Sequence, residues 1–203
     1  MSKELSLSSN PAAIPAAGPY THLFVWPRTA GIVLAGSVLV AICAHLSLPL
    51  YFTPVPLSMA PFAVLLLGLL LAPRLAAATL AAYLAEGALG LPVFAPGPLM
   101  TSGLAHLIGP TGGYLLAYPF AAVPISLLWW RSRRGFPAAL ASAAAGSVVI
   151  LACGGFWLAA FTHVSAETIF SLAVLPFLPG DALKIVLAAA LAAGFDRLRH
   201  QAS

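Results

Sequence analysis

Asp181 and Lys184 stand three residues apart inside an otherwise apolar run, LPGDALKIVLAAALAAGF. On a helix this spacing puts both side chains on one face, where they can neutralise each other or grip a polar ligand together. An ammonium near a helix start opposes the positive end of the helix dipole. Holding it in hydrocarbon costs a few kcal/mol, so something must compensate. Asp181 does so in part and is also placed to cap its helix. A structural pair, a snorkelling lysine and a ligand site all remain open. Intramembrane ionisable groups favour the ligand site. Glu86 is the other charge within an apolar segment, and it reaches either a ligand or the membrane interface.

Other residue patterns narrow the chemistry. GPTGGY, Gly109 to Tyr114, ends a long Pro- and Gly-rich stretch. There Thr111 is expected to cap a helix, while Gly112 and Gly113 allow close backbone approach. Gly154 and Gly155 offer a strip without side chains beside Trp157, which is expected to wall a ligand, although helix packing explains the glycines equally. His22, His45, His106 and His163 have no metal-ligand spacing, and His200 lies in the C-terminal tail. Cys43 and Cys153 sit in apolar runs without zinc-type spacing and read as packing residues. No GxxxxGK[ST] phosphate loop is present, so no ATP hydrolysis by that route is expected. No nucleophile and base can be paired, and the expectation is a non-enzymatic protein without metal or cofactor.

The elements that must position these groups are membrane spans. The 203 residues are 61% hydrophobic and 7% charged, with a mean hydropathy of +1.00. Soluble domains carry roughly 25% charged residues. So few charges cannot cover a water-facing surface, which excludes a soluble enzyme or nucleic-acid binder. Spans are expected at about 28–47, 57–72, 75–91, 113–130, 137–161 and 181–196. Between the first two, Pro49, Pro54 and Pro56 enforce an extended connection. The stretch from Leu91 to Gly113 is apolar yet irregular, which membranes tolerate only when it is buried or lines a cavity. It reads as a partly re-entrant outer loop between helices 3 and 4. The segment THVSAETIFSLAVLPFLPG is expected to hold a short helix at the outer surface.

Cations support six crossings. Lys3, Arg28, Arg74, Arg131, Arg133, Arg134, Arg197 and Arg199 all fall on one side, and the opposite loops carry no Lys or Arg. By the positive-inside rule both termini are cytoplasmic in a multi-pass protein of the cell membrane. The net charge of +4 therefore reflects orientation in a lipid bilayer rather than a nucleic-acid partner. Residues 1–27 read as a cytoplasmic tail rather than a cleaved signal peptide, with Trp26 as an interface anchor. Residues 28–200 form the membrane domain. Small residues four apart in the first span, Gly31 with Ala35 and Ser37 with Ala41, suit close approach of another helix, either a partner's or one of the bundle's own.

Four segments in this order resemble one family: TPVPLS (Thr53 to Ser58), YLAEGALGLPVFA (Tyr83 to Ala95), GPTGGYL (Gly109 to Leu115) and LPGDALK (Leu178 to Lys184). Together they are similar to the BioY family, the biotin-specific S components of energy-coupling factor (ECF) vitamin transporters. The resemblance spans essentially the whole membrane region. It implies an all-α bundle of six transmembrane helices of S-component type in a bacterial inner membrane. It also implies capture of biotin near the outer face, with Asp181 and Lys184 among the polar contacts. Phe94 and Tyr114, from the LPVFA-like loop and the GPTGGY-like turn, would shape or cover the pocket. Tyr83, Glu86, Thr111 and Trp157 complete the expected substrate-binding set. Either the carboxylate or the ureido carbonyl of biotin could meet Lys184. The implied partners are a membrane coupling subunit and a pair of ATPases, which some family members lack. A self-sufficient channel or secondary transporter for biotin or a similar small carboxylate is the competing reading. One departure stands out: Ala60 occupies a position where the family pattern has Gln.

Overall fold

The computed structural model describes residues 21–50, 53, 55–96 and 103–201. Most of the chain is helical. The long helices are α1 (Thr21–His45), α2 (Ala60–Leu70), α3 (Pro73–Ala88), α5 (Gly112–Arg131), α6 (Phe136–Thr162) and α8 (Leu178–Gln201). Short helices α4 (Leu104–Leu107) and α7 (Ala166–Ile169) lie in the connections. Among the described residues, Pro27–His45, Gly112–Arg131, Phe136–Thr162 and Leu175–Arg199 are long and apolar enough to cross a bilayer unaided. Helix α2 has 11 residues and α3 has 16, short of the ~20 that a full span needs. The chain is thus a multi-pass helical membrane protein in which the short α2 is mostly buried and α3 buries one face.

Helix α2 is the hub, touching α1, α3, α5, α6 and α8, and most of its residues are buried. Its packing depends on small residues. The side chain of Ile125 lies against Gly68 and Gly146, where any Cβ would overlap it. Missing side chains of this kind let membrane helices approach closely, which matters where no hydrophobic effect drives them together. Two apolar clusters result. Leu65, Leu69, Ile125, Trp129 and Ala188 pack at the arginine-bearing end. Val40, Val64, Leu80, Tyr83 and Tyr118 belong to the larger cluster toward the other end.

The helix limits differ from the sequence reading where proline and glycine were taken as stops. Helix α1 begins at Thr21, seven residues before the expected Arg28, and runs through Pro27. The stretch apolar enough to cross a bilayer still begins at Pro27, and residues 1–20, like the side chain of Trp26, lie outside the described residues. One proline removes a single backbone hydrogen bond, a loss membrane helices tolerate; Pro119 and Pro124 sit inside α5 in the same way. Leu57 and Ser58, expected in the second span, instead pair with Leu48 and Ser47 as a two-residue antiparallel ribbon, β1 (Ser47–Leu48) with β2 (Leu57–Ser58). Helix α8 starts at Leu178, so Asp181 lies within its first turn and is not its cap. The short outer helix appears as α7, then a π-helical segment Phe170–Val174 and a 3-10 turn Leu175–Phe177 leading into α8. Cys43 is buried, whereas Cys153 lies on an exposed helix face and is not a packing residue.

Candidate functional site

The end of the bundle away from the arginines holds a cavity of about 650 Å³, counting the open space at its mouth. Its lining comes from α1, the ribbon, α2, α3, the 103–111 segment, α5, α6 and α8. The walls are mostly apolar and aromatic, with Ser58, His106, Thr111, Asp181 and Lys184 as polar lining residues.

The charged part of the lining belongs to α8 and is braced from α6. Asp181 and Lys184 both line the cavity, and the ammonium stands 3.6 Å from Asp181 Oδ1. Their side chains are 8% and 6% exposed, so solvent screens the pair little. Ser147 of α6 donates to Asp181 Oδ2, so each carboxylate oxygen has a partner. Burying these charges is tolerable because each group is matched. A ligand carrying both donors and acceptors can join the cluster, while a wholly apolar one would gain nothing from it.

An aromatic wall faces the polar cluster. Tyr118 stacks on Tyr83 with ring centroids 6.4 Å apart. Tyr83 meets Phe94 edge-on at 5.4 Å, and Phe94 lies 4.8 Å from the His106 ring. Phe94 itself rests over Gly87, where a Cβ would overlap its ring, and it stands behind the lining rather than in it. Tyr83 Oη donates to the carbonyl of Val93 at 3.1 Å, and Tyr114 Oη to that of Ala173 at 3.1 Å. Each tyrosine therefore ties a helix to an irregular segment.

The GPTGGY turn is held from behind. Trp157 Nε1 donates to the Gly109 carbonyl at 2.9 Å. The Trp157 side chain fills the space where a Cβ on Gly113 would sit, and Tyr114 fills that of Gly154. The glycines thus serve close packing of α5 on α6, and Trp157 buttresses the turn instead of walling the cavity. Thr111 lines the cavity and occupies the position before α5, but its side chain makes no capping hydrogen bond. Its carbonyl accepts from the amides of Tyr114 and Leu115. Glu86 also lies elsewhere: it accepts from Ser37 Oγ at 2.8 Å, which joins α3 to α1. Of the expected set, Tyr83, Thr111, Tyr114, Asp181 and Lys184 meet around the cavity, while Glu86, Phe94 and Trp157 do not line it.

Sequence reasoning missed Ser147, Tyr118 and His106. Tyr118 follows Tyr114 by one helical turn, a spacing that already puts the two on one face. Ser147 gave no such signal; Ser142, one turn and a half earlier, bonds only its own helix through the Ala138 carbonyl. Ala60, the departure from the family pattern, lines the cavity and presents a methyl group there.

Fold and site together define a multi-pass membrane protein with an open-mouthed, largely apolar and aromatic cavity, carrying a buried ion pair, at one end of a helical bundle. Among curated proteins, the chain is 41% identical over 139 residues to the probable biotin transporter BioY of Pyrococcus horikoshii, covering 68% of this chain and 79% of that protein. It is 37% identical over 169 residues to the biotin transporter BioY of Thermotoga maritima, covering 83% of this chain and 94% of that one. A crystal structure of the S-component for biotin from an ECF-type ABC transporter superposes with a TM-score of 0.75, covering 90% of this chain and 95% of that one at 24% identity. That likeness establishes the shared S-component fold. The BioY family model matches residues 18–201, and the chain belongs to the BioY family. These relatives are named as transporters, a non-enzymatic role, as the sequence led us to expect.

Proposed function

We propose that this protein is the biotin-binding S component of an uptake transporter, taking biotin into the cavity from the outer face and passing it inward with an ECF ATPase module. The observation that carries this reading is the buried Ser147–Asp181–Lys184 cluster, set in an otherwise apolar and aromatic cavity. Biotin combines an apolar bicyclic ring with a ureido group and a carboxylate. Asp181, an acceptor, suits a ureido N–H. Lys184, a donor, suits either the carboxylate or the ureido oxygen. Tyr83, Tyr114 and Tyr118 supply flat walls for the ring, and Thr111 and His106 add polar edges. Glu86, Phe94 and Trp157 act through the residues they support.

With α2 and α3 as short spans the chain crosses the bacterial inner membrane six times. The arginine-bearing end and both termini then lie in the cytoplasm. In α1, Gly31 and Ala35 are exposed and no atom stands near a Cβ built on Gly31, whereas Ser37 points inward to Glu86. The exposed strip is the surface offered to a membrane coupling subunit.

Titration of the detergent-purified protein with biotin tests the assignment. Wild type should bind, and Lys184→Ala should lose binding while still expressing and inserting. Wild-type affinity in that variant would remove Lys184 from the site. Biotin accumulation by the protein alone, in liposomes without any ATPase, would replace the ECF-dependent reading with a self-sufficient transporter.

A further inference from the structure

At the opposite end of the bundle the turn between α5 and α6 holds Arg134 in an unusual way. Its φ of 51° lies in the left-handed region that non-glycine residues seldom adopt. The Arg134 amide donates to Ser132 Oγ at 3.2 Å, which stabilises the turn. This backbone carries the guanidinium over the Trp130 ring, 4.5 Å from its centroid, and to within 3.4 Å of Asp196 Oδ1. One turn of α8 further on, the Arg199 guanidinium lies 5.1 Å from the Phe195 ring centroid. Between these arginines is a crevice with Leu69, Leu70 and Ala192 in its lining.

Charge and surroundings specify the occupant. Arg131, Arg133 and Arg197 are exposed at neighbouring positions of the same turn and helix end, and Asp196 is the acid that lines the crevice. The local excess is strongly positive. Beside the rim, Trp130, Phe195 and Leu198 are exposed, so the complementary ligand is an anion joined to an apolar body. An acidic peptide would leave those side chains uncovered, whereas acyl chains cover them. A guanidinium group also matches a phosphate in its fixed donor geometry, and both Arg134 and Arg199 line the crevice.

We propose that this crevice binds the phosphodiester headgroup of an anionic phospholipid, with Arg134 and Arg199 as its donors. Native mass spectrometry of the full chain in mixed phosphatidylcholine and phosphatidylglycerol provides the test. Wild type should retain phosphatidylglycerol preferentially. Arg134→Gly suits the left-handed backbone, so it should keep the fold and biotin binding while the lipid preference falls about fivefold, the worth of one cation at an anionic surface. Arg199→Gln should act likewise. Asp196→Asn keeps both guanidinium groups and should raise the preference. An unchanged preference in Arg134→Gly/Arg199→Gln would overturn the proposal. So would equal competition by soluble glycerol phosphate, which marks a site for free phosphate, or variants that lose only assembly with a coupling subunit, which marks an acidic protein surface.

Discussion

The proposed site asks Asp181 and Lys184 to serve both stability and ligand binding, and a set of three variants separates the roles. Asp181→Asn leaves an ammonium buried with no counter-charge. Lys184→Met leaves a carboxylate that still accepts from Ser147. The double variant leaves neither charge. At 3.6 Å the pair attracts by about 4–5 kcal/mol at an effective dielectric of ~20, and its low exposure leaves little screening to subtract. Stranding one buried charge costs about 3–5 kcal/mol, whereas neutral replacement of both partners is often close to neutral.

The expected order of stability therefore places Asp181→Asn lowest, Lys184→Met between, and the double variant near wild type. For a chain of this size a loss of 3–5 kcal/mol lowers the apparent melting temperature by about 6–20 °C, readable by thermal scanning in one fixed detergent. Biotin titration on the same samples should behave differently: the double variant recovers stability but not affinity. If it melts as early as Asp181→Asn, the pair is not the interaction that matters. If it binds biotin like wild type, the cluster is structural only.

Tyr114→Phe removes the hydrogen bond to Ala173 O, worth about 1 kcal/mol, and should speed biotin dissociation roughly fivefold in stopped-flow chase experiments. Gly113→Val drives a branched side chain into Trp157 and should lower the melting temperature and abolish binding together, by about 1–3 kcal/mol or more in stability. Glu86→Gln keeps an acceptor for Ser37, so biotin affinity should stay within about twofold; a tenfold loss by titration would return Glu86 to the site.

Legibility in the sequence followed the strength of local punctuation. Helix α5 was expected at 113–130 and is Gly112–Arg131; α6 was expected at 137–161 and is Phe136–Thr162. Charges and a glycine mark those ends, and water-soluble groups cannot drift into lipid. Proline misled at Pro27 because a helix supported by lipid and neighbours tolerates one lost hydrogen bond. The Asp181–Lys184 pair was legible because three residues on a helix fix a shared face. The partners of Glu86 and Trp157 were not, since Ser37 lies 49 positions from Glu86 and Gly109 lies 48 from Trp157. A charge or indole in an apolar run announces that it needs a partner, but not which one. The ribbon was unreadable for a related reason: two paired residues per strand leave no periodic pattern.

The way the cavity is closed limits how a ligand can work on it. Irregular backbone in apolar surroundings survives only if its carbonyls are matched. Here Tyr83 matches Val93, Tyr114 matches Ala173 and Trp157 matches Gly109. These aromatic donors are committed to holding the segments around the cavity, and diverting Tyr114 to a ligand would strand the buried Ala173 carbonyl at about 1–3 kcal/mol. Asp181 and Lys184 are different. They are bonded chiefly to each other and to Ser147, so a ligand that inserts between them can exchange contacts without leaving a charge unmatched. A conformational response to binding should therefore begin where α6 meets α8. Hydrogen exchange on binding should slow first in the turns of α8 next to Lys184; protection confined to 103–111 would place the trigger in the loop instead.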